Sequence, residues 1–337
     1  MMKYILILVS IGLLSACSDQ FEGPYPILDS GIRVGAGTVP KTSWIDNEQV
    51  IFIGMVGDKP KTKEEMEKTK PEYAVYIWNI RNNETIMLDA KPKHYGFCYH
   101  DNLLVYQDES GWIEMNLGVV GKKIRERGMP DYSSNPYDCR RTWRPESMIG
   151  RQWVPLKVED GYLDYGSQEN GDSPNAILFT HELKKNIRMP FRGLSVHIHY
   201  SQFDDAYYIN ESISRERWRK GECAQVWRFN MLGETEKECL LHPHDGSIER
   251  WAEAFVVTKK GVALISHDME SVNDMGRAGI YLHTDEKYIR LNRGYVTGTS
   301  VSPDGCKIAY HNKPHFHANS PYYKGIISAQ VIDICTI

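Results

Sequence analysis

Several histidines occur in closely spaced pairs, a pattern that could place two imidazole ligands on one metal ion. His197 and His199 are separated by one residue on a predicted strand, so both side chains are expected on the same side of that strand. Neutral imidazole nitrogens are ligands for Zn²⁺, Mn²⁺ or Cu²⁺. These two histidines are therefore our candidate divalent metal site, and the alternative is that they are hydrogen-bonded interior residues.

A second group of residues is predicted to lie in loops and at strand ends, and it is our candidate for a binding surface. Its members are His242, His244, His267, His311, His315, His317, Arg217 and Trp218. The alternative is that they are separate, solvated positions. No Gly-x-Ser-x-Gly elbow is present, and the glycines of residues 31–37 lack the lysine of a phosphate-binding loop. The sequence therefore indicates no catalytic residues and no cofactor other than the candidate metal.

Cysteine spacing favours disulfides over a cysteine metal site. The chain has seven cysteines, and no Cys-x-x-Cys spacing occurs among them. Two pairs are predicted from the strands: the cysteines of the first are symmetric about the centre of a predicted hairpin, and those of the second lie at the facing ends of two predicted strands. The third pair contains the two cysteines that remain when Cys17 is excluded. These pairs are Cys223 with Cys239, Cys306 with Cys335, and Cys98 with Cys139. The alternative is that some of these cysteines are buried free thiols.

The elements expected to position all these residues are β-strands. A two-residue turn signal recurs along the chain, each time followed by a run of aliphatic and aromatic residues. The turns are Asp46-Asn47, Asp101-Asn102, Asp160-Gly161, Asp204-Asp205, Lys260-Gly261 and Asp304-Gly305. Recurrence every 45 to 60 residues or so is typical of a radial β-repeat, whose blades are four-stranded antiparallel meanders (roughly 40 to 50 residues each). The pattern predicts an all-β propeller of six blades, with seven blades as the alternative.

The proposed meander also predicts how the chain closes and where it binds. The last blade has no sequence left for a fourth strand, and residues 31–38 could supply it, which would close the ring and remove exposed sheet edges. Long loops are expected together on one face of the disc, at 55–73, 128–152, 211–223, 268–278 and 311–327. Because function concentrates on long loops held by a rigid scaffold, this loop-rich face is the predicted binding surface.

Two segments resemble known protein families. Ser302-Pro303-Asp304-Gly305, followed by Ile308-Ala309-Tyr310, resembles the repeat of TolB-like β-propellers. That resemblance covers nearly the whole mature chain as a weaker pattern, and it implies a scaffold and not a chemistry. Leu14-Ser15-Ala16-Cys17, which ends an apolar stretch, resembles the signal of a bacterial lipoprotein.

The resemblance to a lipoprotein signal implies a subcellular location and a domain organisation. Residues 1–16 are the expected signal peptide, 17–30 an acylated tether, and 31–337 a single propeller domain. Lipidation of Cys17 would anchor the chain to a membrane through acyl chains, and Ser18 favours the outer membrane, facing the periplasm. The alternatives are an ordinary secretory signal, the inner membrane and the cell surface.

Three hypotheses for the function follow. The formal net charge of −4 argues against a nucleic-acid partner. The first hypothesis is a non-catalytic envelope lipoprotein whose loop-rich face binds a protein or a cell-envelope component. The second is a metal-assisted propeller lyase or hydrolase acting on a polysaccharide or peptide. The third is a periplasmic immunity protein that blocks a toxin.

Overall fold

The computed structural model describes residues 23–34, 41–57, 72–93, 96–119, 121–126, 139–140, 152–157, 159–166, 175–192, 198–210, 220, 222–240, 251–267, 276–284, 287–313 and 327–336. The regular structure in these ranges is six antiparallel sheets of four strands each. No helix in the described part of the chain is long and apolar enough to cross a bilayer. The all-β prediction is confirmed.

Five of the six sheets are simple meanders, in which each strand pairs with the next one along the chain. Sheet 1 contains β2 (Thr42–Trp44), β3 (Gln49–Met55), β4 (Tyr73–Asn79) and β5 (Glu84–Met87). Sheet 2 contains β6 (Phe97–His100), β7 (Leu103–Asp108), β8 (Gly111–Asn116) and β9 (Lys122–Ile124). Sheet 3 contains β10 (Gln152–Pro155), β11 (Gly161–Gly166), β12 (Asn175–Thr180) and β13 (Lys185–Arg192). Sheet 4 contains β14 (Ile198–Ser201), β15 (Ala206–Asn210), β16 (Ala224–Phe229) and β17 (Thr235–Leu240). Sheet 5 contains β18 (Trp251–Thr258), β19 (Gly261–Ser266), β20 (Gly279–Thr284) and β21 (Lys287–Arg290).

Sheet 6 combines three strands from the end of the chain with one from near its beginning. Its order is β22 (Tyr295–Val301), β23 (Lys307–Lys313), β24 (Ser328–Asp333) and β1 (Ile27–Arg33).

Strand β1 occupies the place in sheet 6 that the sequence predicted for residues 31–38, but it begins earlier. Ile27 lies opposite Ile332 and Leu28 opposite Val331, so two aliphatic residues of the expected tether match the register of β24. Asp29 then accepts hydrogen bonds from Ser328 Oγ at 2.7 Å and Gln330 Nε2 at 2.8 Å. The sheet therefore starts before residue 31, where the domain boundary was expected.

Turn residues with positive φ angles explain why the strands fold back where they do. Asp101, Asn102 and Asp205 have φ angles of 45°, 61° and 47°. Gly161 and Gly261 have φ angles of 140° and 138°. Asn, Asp and Gly are the residues that tolerate this region of backbone space. The turns predicted from these dipeptides are confirmed, and they connect the first and second strands of their sheets.

Apolar side chains fill the space between five pairs of neighbouring sheets in the described part of the chain. Phe52 of sheet 1 is fully buried in one cluster with Val331 of sheet 6, and Ile51 of the same strand faces a second cluster with sheet 2. Similar clusters join sheets 3 and 4, sheets 4 and 5, and sheets 5 and 6. The second strand of such a sheet, as in β3, buries both faces, which explains the aliphatic and aromatic runs after the turns.

The structure contains all three disulfides in the predicted pairing. The Cα atoms of Cys98 and Cys139 are 5.5 Å apart, and those of the other two pairs are 5.3 Å apart. These separations are typical of disulfide bonds. Cys306 directly precedes β23 and Cys335 follows β24, close to the point where Lys307 lies opposite Asp333.

Candidate functional site: an axial cavity

The first strands of four sheets line one cavity of about 510 Å³. These strands are β2, β6, β14 and β22, and each is at the end of the strand order in its sheet. The lining consists of the strands and the beginnings of the tight turns that follow them, at residues 41–45, 97–102, 199–203 and 298–302. The volume lies within the range of roughly 300 to 1,000 Å³ that small-molecule sites usually have.

A β-bulge in β22 shapes one wall of the cavity. Thr297 pairs with His311 and Ser300 with Ala309, so two residues of β22, Gly298 and Thr299, lie opposite a single residue of β23. Two hydrogen bonds connect the bulge to the neighbouring inner strand β2. Thr42 Oγ1 donates to the carbonyl of Gly298 at 2.7 Å, and Trp44 Nε1 donates to the carbonyl of Ser300 at 3.2 Å.

The side chains of the cavity lining are mainly hydroxyl-bearing and aromatic. The hydroxyl groups belong to Thr42, Ser43, Ser201, Thr299, Ser300 and Ser302. The aromatic residues are Trp44, Phe97, Tyr99, Tyr200 and Phe203. Such a lining can offer hydrogen bonds to a polyhydroxylated ligand and apolar surface to its carbon skeleton.

Four lining residues are lysine, histidine or aspartate. Lys41 precedes β2, and burial lowers the pKa of its ammonium group to about 8. At the end with the tight turns, His100 Nε2 is 3.1 Å from Asp101 Oδ2. Burial lowers the pKa of His199 to about 4, so its imidazole is neutral at pH 7. Its Nε2 atom is buried and has no hydrogen-bond partner.

Hydrogen bonds between turns connect neighbouring sheets at one end of the cavity. The amide of Lys259, in the turn of sheet 5, donates to the carbonyl of Gly305 in sheet 6 at 2.9 Å. The amide of Asp304 donates to Asn47 Oδ1 of sheet 1 at 2.9 Å. These bonds connect three consecutive sheets through residues that follow their inner strands.

A second network joins sheets 3 and 4 on the same side. Lys157 Nζ is 2.8 Å from Tyr200 Oη, and that hydroxyl donates to Asp205 Oδ1 at 2.5 Å. Burial, followed by the bond to Asp205, raises the pKa of Tyr200 to about 12, so the hydroxyl stays protonated. Because Tyr200 also lines the cavity, this network holds one part of the wall in place.

The structure places three of the predicted histidines and leaves the other site residues untested. His199 lies on the cavity wall, whereas its predicted metal partner His197 is outside the described residues. Within the described ranges, no three His, Cys, Asp or Glu side chains form a group that could hold a metal ion. The remaining predicted residues also lie outside those ranges and stay predictions: Cys17, Arg217, Trp218, His242, His244, His315 and His317.

His267 and His311 both lie near the beginning of β22. His267 stacks on Tyr295 with ring centroids 4.0 Å apart, and its Nε2 is 2.9 Å from the carbonyl of Val296. His311 is buried and faces Phe52 of sheet 1, with centroids 6.3 Å apart. The two imidazoles therefore pack against different aromatic residues, Tyr295 and Phe52.

Sequence analysis alone missed the polar residues of the inner strands. Lys41, Ser43 and Thr299 line the cavity, although none belongs to a recognisable motif. The signal that could have found them is their position, because each precedes one of the predicted tight turns and therefore belongs to the strand nearest the axis.

No protein-family profile and no curated protein sequence matches this chain. Among solved structures, TolB from Acinetobacter baumannii is 11% identical with a TM-score of 0.40 over 85% of this chain and 63% of that chain. BamB from Moraxella catarrhalis is 10% identical with a TM-score of 0.36, over 91% and 98% of the two chains. The β-propeller domain of the Trilobed protease from Pyrococcus furiosus is 11% identical with a TM-score of 0.34, over 89% and 71%. The chain thus spans less than two thirds of that TolB chain.

The architecture of the chain follows from its own topology. Four-stranded antiparallel sheets, four of which line one cavity with their first strands, are the arrangement of the blades of a β-propeller. The architecture specifies where a ligand can bind and leaves the identity of the ligand open.

Proposed function

We propose that this chain is a non-catalytic lipoprotein of the cell envelope that binds a small envelope component in its axial cavity. The observation that carries the proposal is the cavity of about 510 Å³ that is lined by the inner strands of four sheets. Its lining combines apolar rings with a few convergent polar groups, which is the usual composition of small-molecule sites.

The hydrogen bonds of the cavity hydroxyls support binding over catalysis. Thr42 uses its hydroxyl to hold the bulge of β22. Ser302 Oγ donates to Asp304 Oδ1 at 2.5 Å and accepts the amide of Lys307 at 2.9 Å, so it organises its own turn. A nucleophilic hydroxyl instead needs a neighbouring base that is free to take its proton. The hydroxyl groups of Thr42 and Ser302 therefore stabilise the backbone around the proposed ligand.

The proposal includes a closed ring of six blades. The pairing of β1 with β24 supports closure, because it brings a strand from near the beginning of the chain into the last sheet. The apolar clusters between sheets 6 and 1 and between sheets 1 and 2 support the same arrangement. A closed ring would hold the four inner strands at fixed distances, so the cavity would be formed before the ligand binds.

The proposed location is the outer membrane, with Cys17 acylated and the propeller in the periplasm. The lipoprotein-like segment before Cys17 supports the anchor. Three disulfides support an oxidising compartment, since such bonds are rare where thiols are kept reduced. A protein partner on the loop-rich face remains a prediction, because the long loops lie almost entirely outside the described residues.

A thermal-shift screen of the full-length protein in detergent tests the binding function. The panel would contain small saccharides and peptides derived from the cell envelope, since a ligand that binds only the folded state raises the unfolding temperature. Thr299→Trp should fill the cavity and abolish any shift, whereas Thr336→Trp, at an exposed position, should preserve it. Equal shifts in both variants, or no shift with any compound, would contradict the proposal.

A further inference from the structure

The outer strands of three neighbouring sheets carry most of the exposed apolar side chains. Seven large hydrophobic residues are exposed in the described part of the chain, and five of them lie on β1, β5 and β9. These five residues, which we call the apolar rim, are Ile27, Leu28, Ile86, Met87 and Ile124. Each of the three strands is at the opposite end of its sheet from the inner strand, so the apolar rim lies far from the cavity.

The outer strands of the other three sheets mainly expose charged residues. In β13, Met189 and Phe191 are buried, and the exposed positions of β17 and β21 contain no large hydrophobic residue. The exposed charged residues of these strands are Lys185, Arg188, Glu236, Lys237, Glu238 and Lys287. The aliphatic residues are therefore grouped on sheets 6, 1 and 2, and such a grouping indicates an interaction surface.

Strand register places two residues of the apolar rim in the gap between sheets 1 and 2. Ile86 lies opposite Ile77 in sheet 1, and Ile124 lies opposite Ile113 in sheet 2. The two partners belong to the same apolar cluster between these sheets. Because directly opposite residues share a face of the sheet, Ile86 and Ile124 both face this gap.

Two further residues of the apolar rim face the gap between sheets 6 and 1. Leu28 lies opposite Val331, and Met87 lies opposite Tyr76. Val331 and Tyr76 belong to the cluster that joins these two sheets. The three outer strands thus present their exposed aliphatic side chains towards one another along neighbouring sheets.

The chain before β1 limits where a bilayer can lie, if Cys17 carries the acyl anchor proposed above. Tyr25 packs against the apolar cluster of sheets 5 and 6, so the chain is attached to the sheets from this residue onwards. Tyr25 is eight residues after Cys17, and eight residues of fully extended chain span at most about 28 Å. The anchor would therefore keep β1 and the strands beside it close to the membrane surface.

A bilayer suits the apolar rim better than a folded protein partner does. A stable protein interface needs a compact patch of roughly 800 Å² on each partner. Side chains distributed over three outer strands can instead enter the boundary between lipid headgroups and acyl chains one by one, and each contributes in proportion to the apolar area that it buries.

We propose that the apolar rim lies against the bilayer surface, so that sheets 6, 1 and 2 face the membrane and sheet 4 faces away from it. The acyl chains on Cys17 supply most of the membrane affinity, and the apolar rim determines the orientation of the domain. The axial cavity then opens along the membrane surface and stays accessible to ligands in the periplasm.

Photo-crosslinking of the acylated full-length protein in phospholipid vesicles tests this orientation. The vesicles would contain phosphatidylethanolamine, phosphatidylglycerol and a phospholipid with a diazirine near the headgroup end of one acyl chain, and peptide mass spectrometry would locate the attached lipid. Ile124 and Leu232 are matched probes, because they are 66% and 58% exposed and lie on sheets 2 and 4, which are each joined to sheet 6 through one intervening sheet.

We expect at least about tenfold more lipid at Ile124 than at Leu232, since moving one aliphatic side chain from water into apolar surroundings changes an equilibrium by about that factor. Ile86→Asn combined with Met87→Asn should remove most of this excess. Both positions are more than half exposed, so the fold should tolerate the change. Leu232→Asn is the matched control and should leave the attachment at Ile124 unchanged.

The outcomes separate the orientation from the anchor on which it rests. Equal attachment at Ile124 and Leu232 in the acylated wild type would overturn the orientation while leaving the anchor, and so would an excess that survives Ile86→Asn with Met87→Asn. A dimer in detergent that these two substitutions convert to a monomer would assign the apolar rim to a second copy of the chain and overturn the membrane assignment. An intact mass without acyl chains would refute the anchor and, with it, the orientation.

Discussion

Replacement of Gly305 by alanine should destabilise the protein through two separable effects. Gly305 has a φ angle of 75°, a region that costs an L-residue roughly 1 to 2 kcal/mol. A Cβ atom added there would lie 2.6 Å from Phe203 Cδ1 and 3.0 Å from the backbone nitrogen of Lys259. Overpacking of this kind typically costs about 1 to 3 kcal/mol. Together, we expect Gly305→Ala to lower the free energy of unfolding by about 2 to 5 kcal/mol.

Gly31→Ala is the matched control for the backbone effect. Gly31 has a similar φ angle of 67°, but no atom lies within 4 Å of the position of its added Cβ. It should therefore show only the conformational cost of about 1 to 2 kcal/mol. Urea unfolding of both variants under non-reducing conditions gives the difference between them, and Phe203→Leu in the Gly305→Ala background should recover part of it. Equal destabilisation by the two alanines would refute the close packing of Gly305 against Phe203 and Lys259.

Three further predictions concern the disulfide between Cys306 and Cys335, the buried His199 and the lipid anchor at Cys17. Replacing Cys306 and Cys335 together by alanine should lower the free energy of unfolding by about 3 to 4 kcal/mol in urea titrations, and an unchanged midpoint would contradict this. The pKa of His199 falls from 6.5 to about 4 on folding, so stability is complete above pH 6.5 and decreases as the pH falls towards 4. The loss in the free energy of unfolding should be on the order of 2 kcal/mol, and urea midpoints at pH 7 and pH 4.5 should show it. His199→Gln should remove this pH dependence, whereas replacement of the exposed His181 should leave it unchanged. Cys17→Ala should release the protein from membrane fractions, and a variant that still sediments after a salt wash would show the anchor to be wrong.

The strands could be predicted from the sequence because their signals are local. Asp101-Asn102 and Asp304-Gly305 determine where hairpins turn, and the apolar runs beside them fix which residues are buried. The disulfide from Cys223 to Cys239 was predicted from a single hairpin, although Cys239 lies opposite Gln225 in the structure and the two cysteines are not directly opposite each other. Each of these features depends on residues close together in the chain, so a repeated pattern was sufficient to locate them.

The beginning of β1 and the cavity depend on contacts between distant residues, and for that reason the sequence did not reveal them. Ile27 looks like part of a polar tether until its pairing with Ile332 is known. Lys41 and Thr299 look like ordinary strand residues, and only the arrangement of four sheets brings them to one cavity. Most of the predicted binding residues were chosen because their residue types suggest a function. Their positions lie outside the described ranges, so the structure does not test them.

Native mass spectrometry of the full-length protein most directly tests the claim that the axial cavity is the binding site. The wild type, Thr299→Trp and Thr336→Trp would each be incubated with the same concentrated extract of small envelope components. The account predicts one added small-molecule mass on the wild type and on Thr336→Trp, and none on Thr299→Trp, because only position 299 lines the cavity. The same mass retained by Thr299→Trp, or no added mass on the wild type, would contradict it.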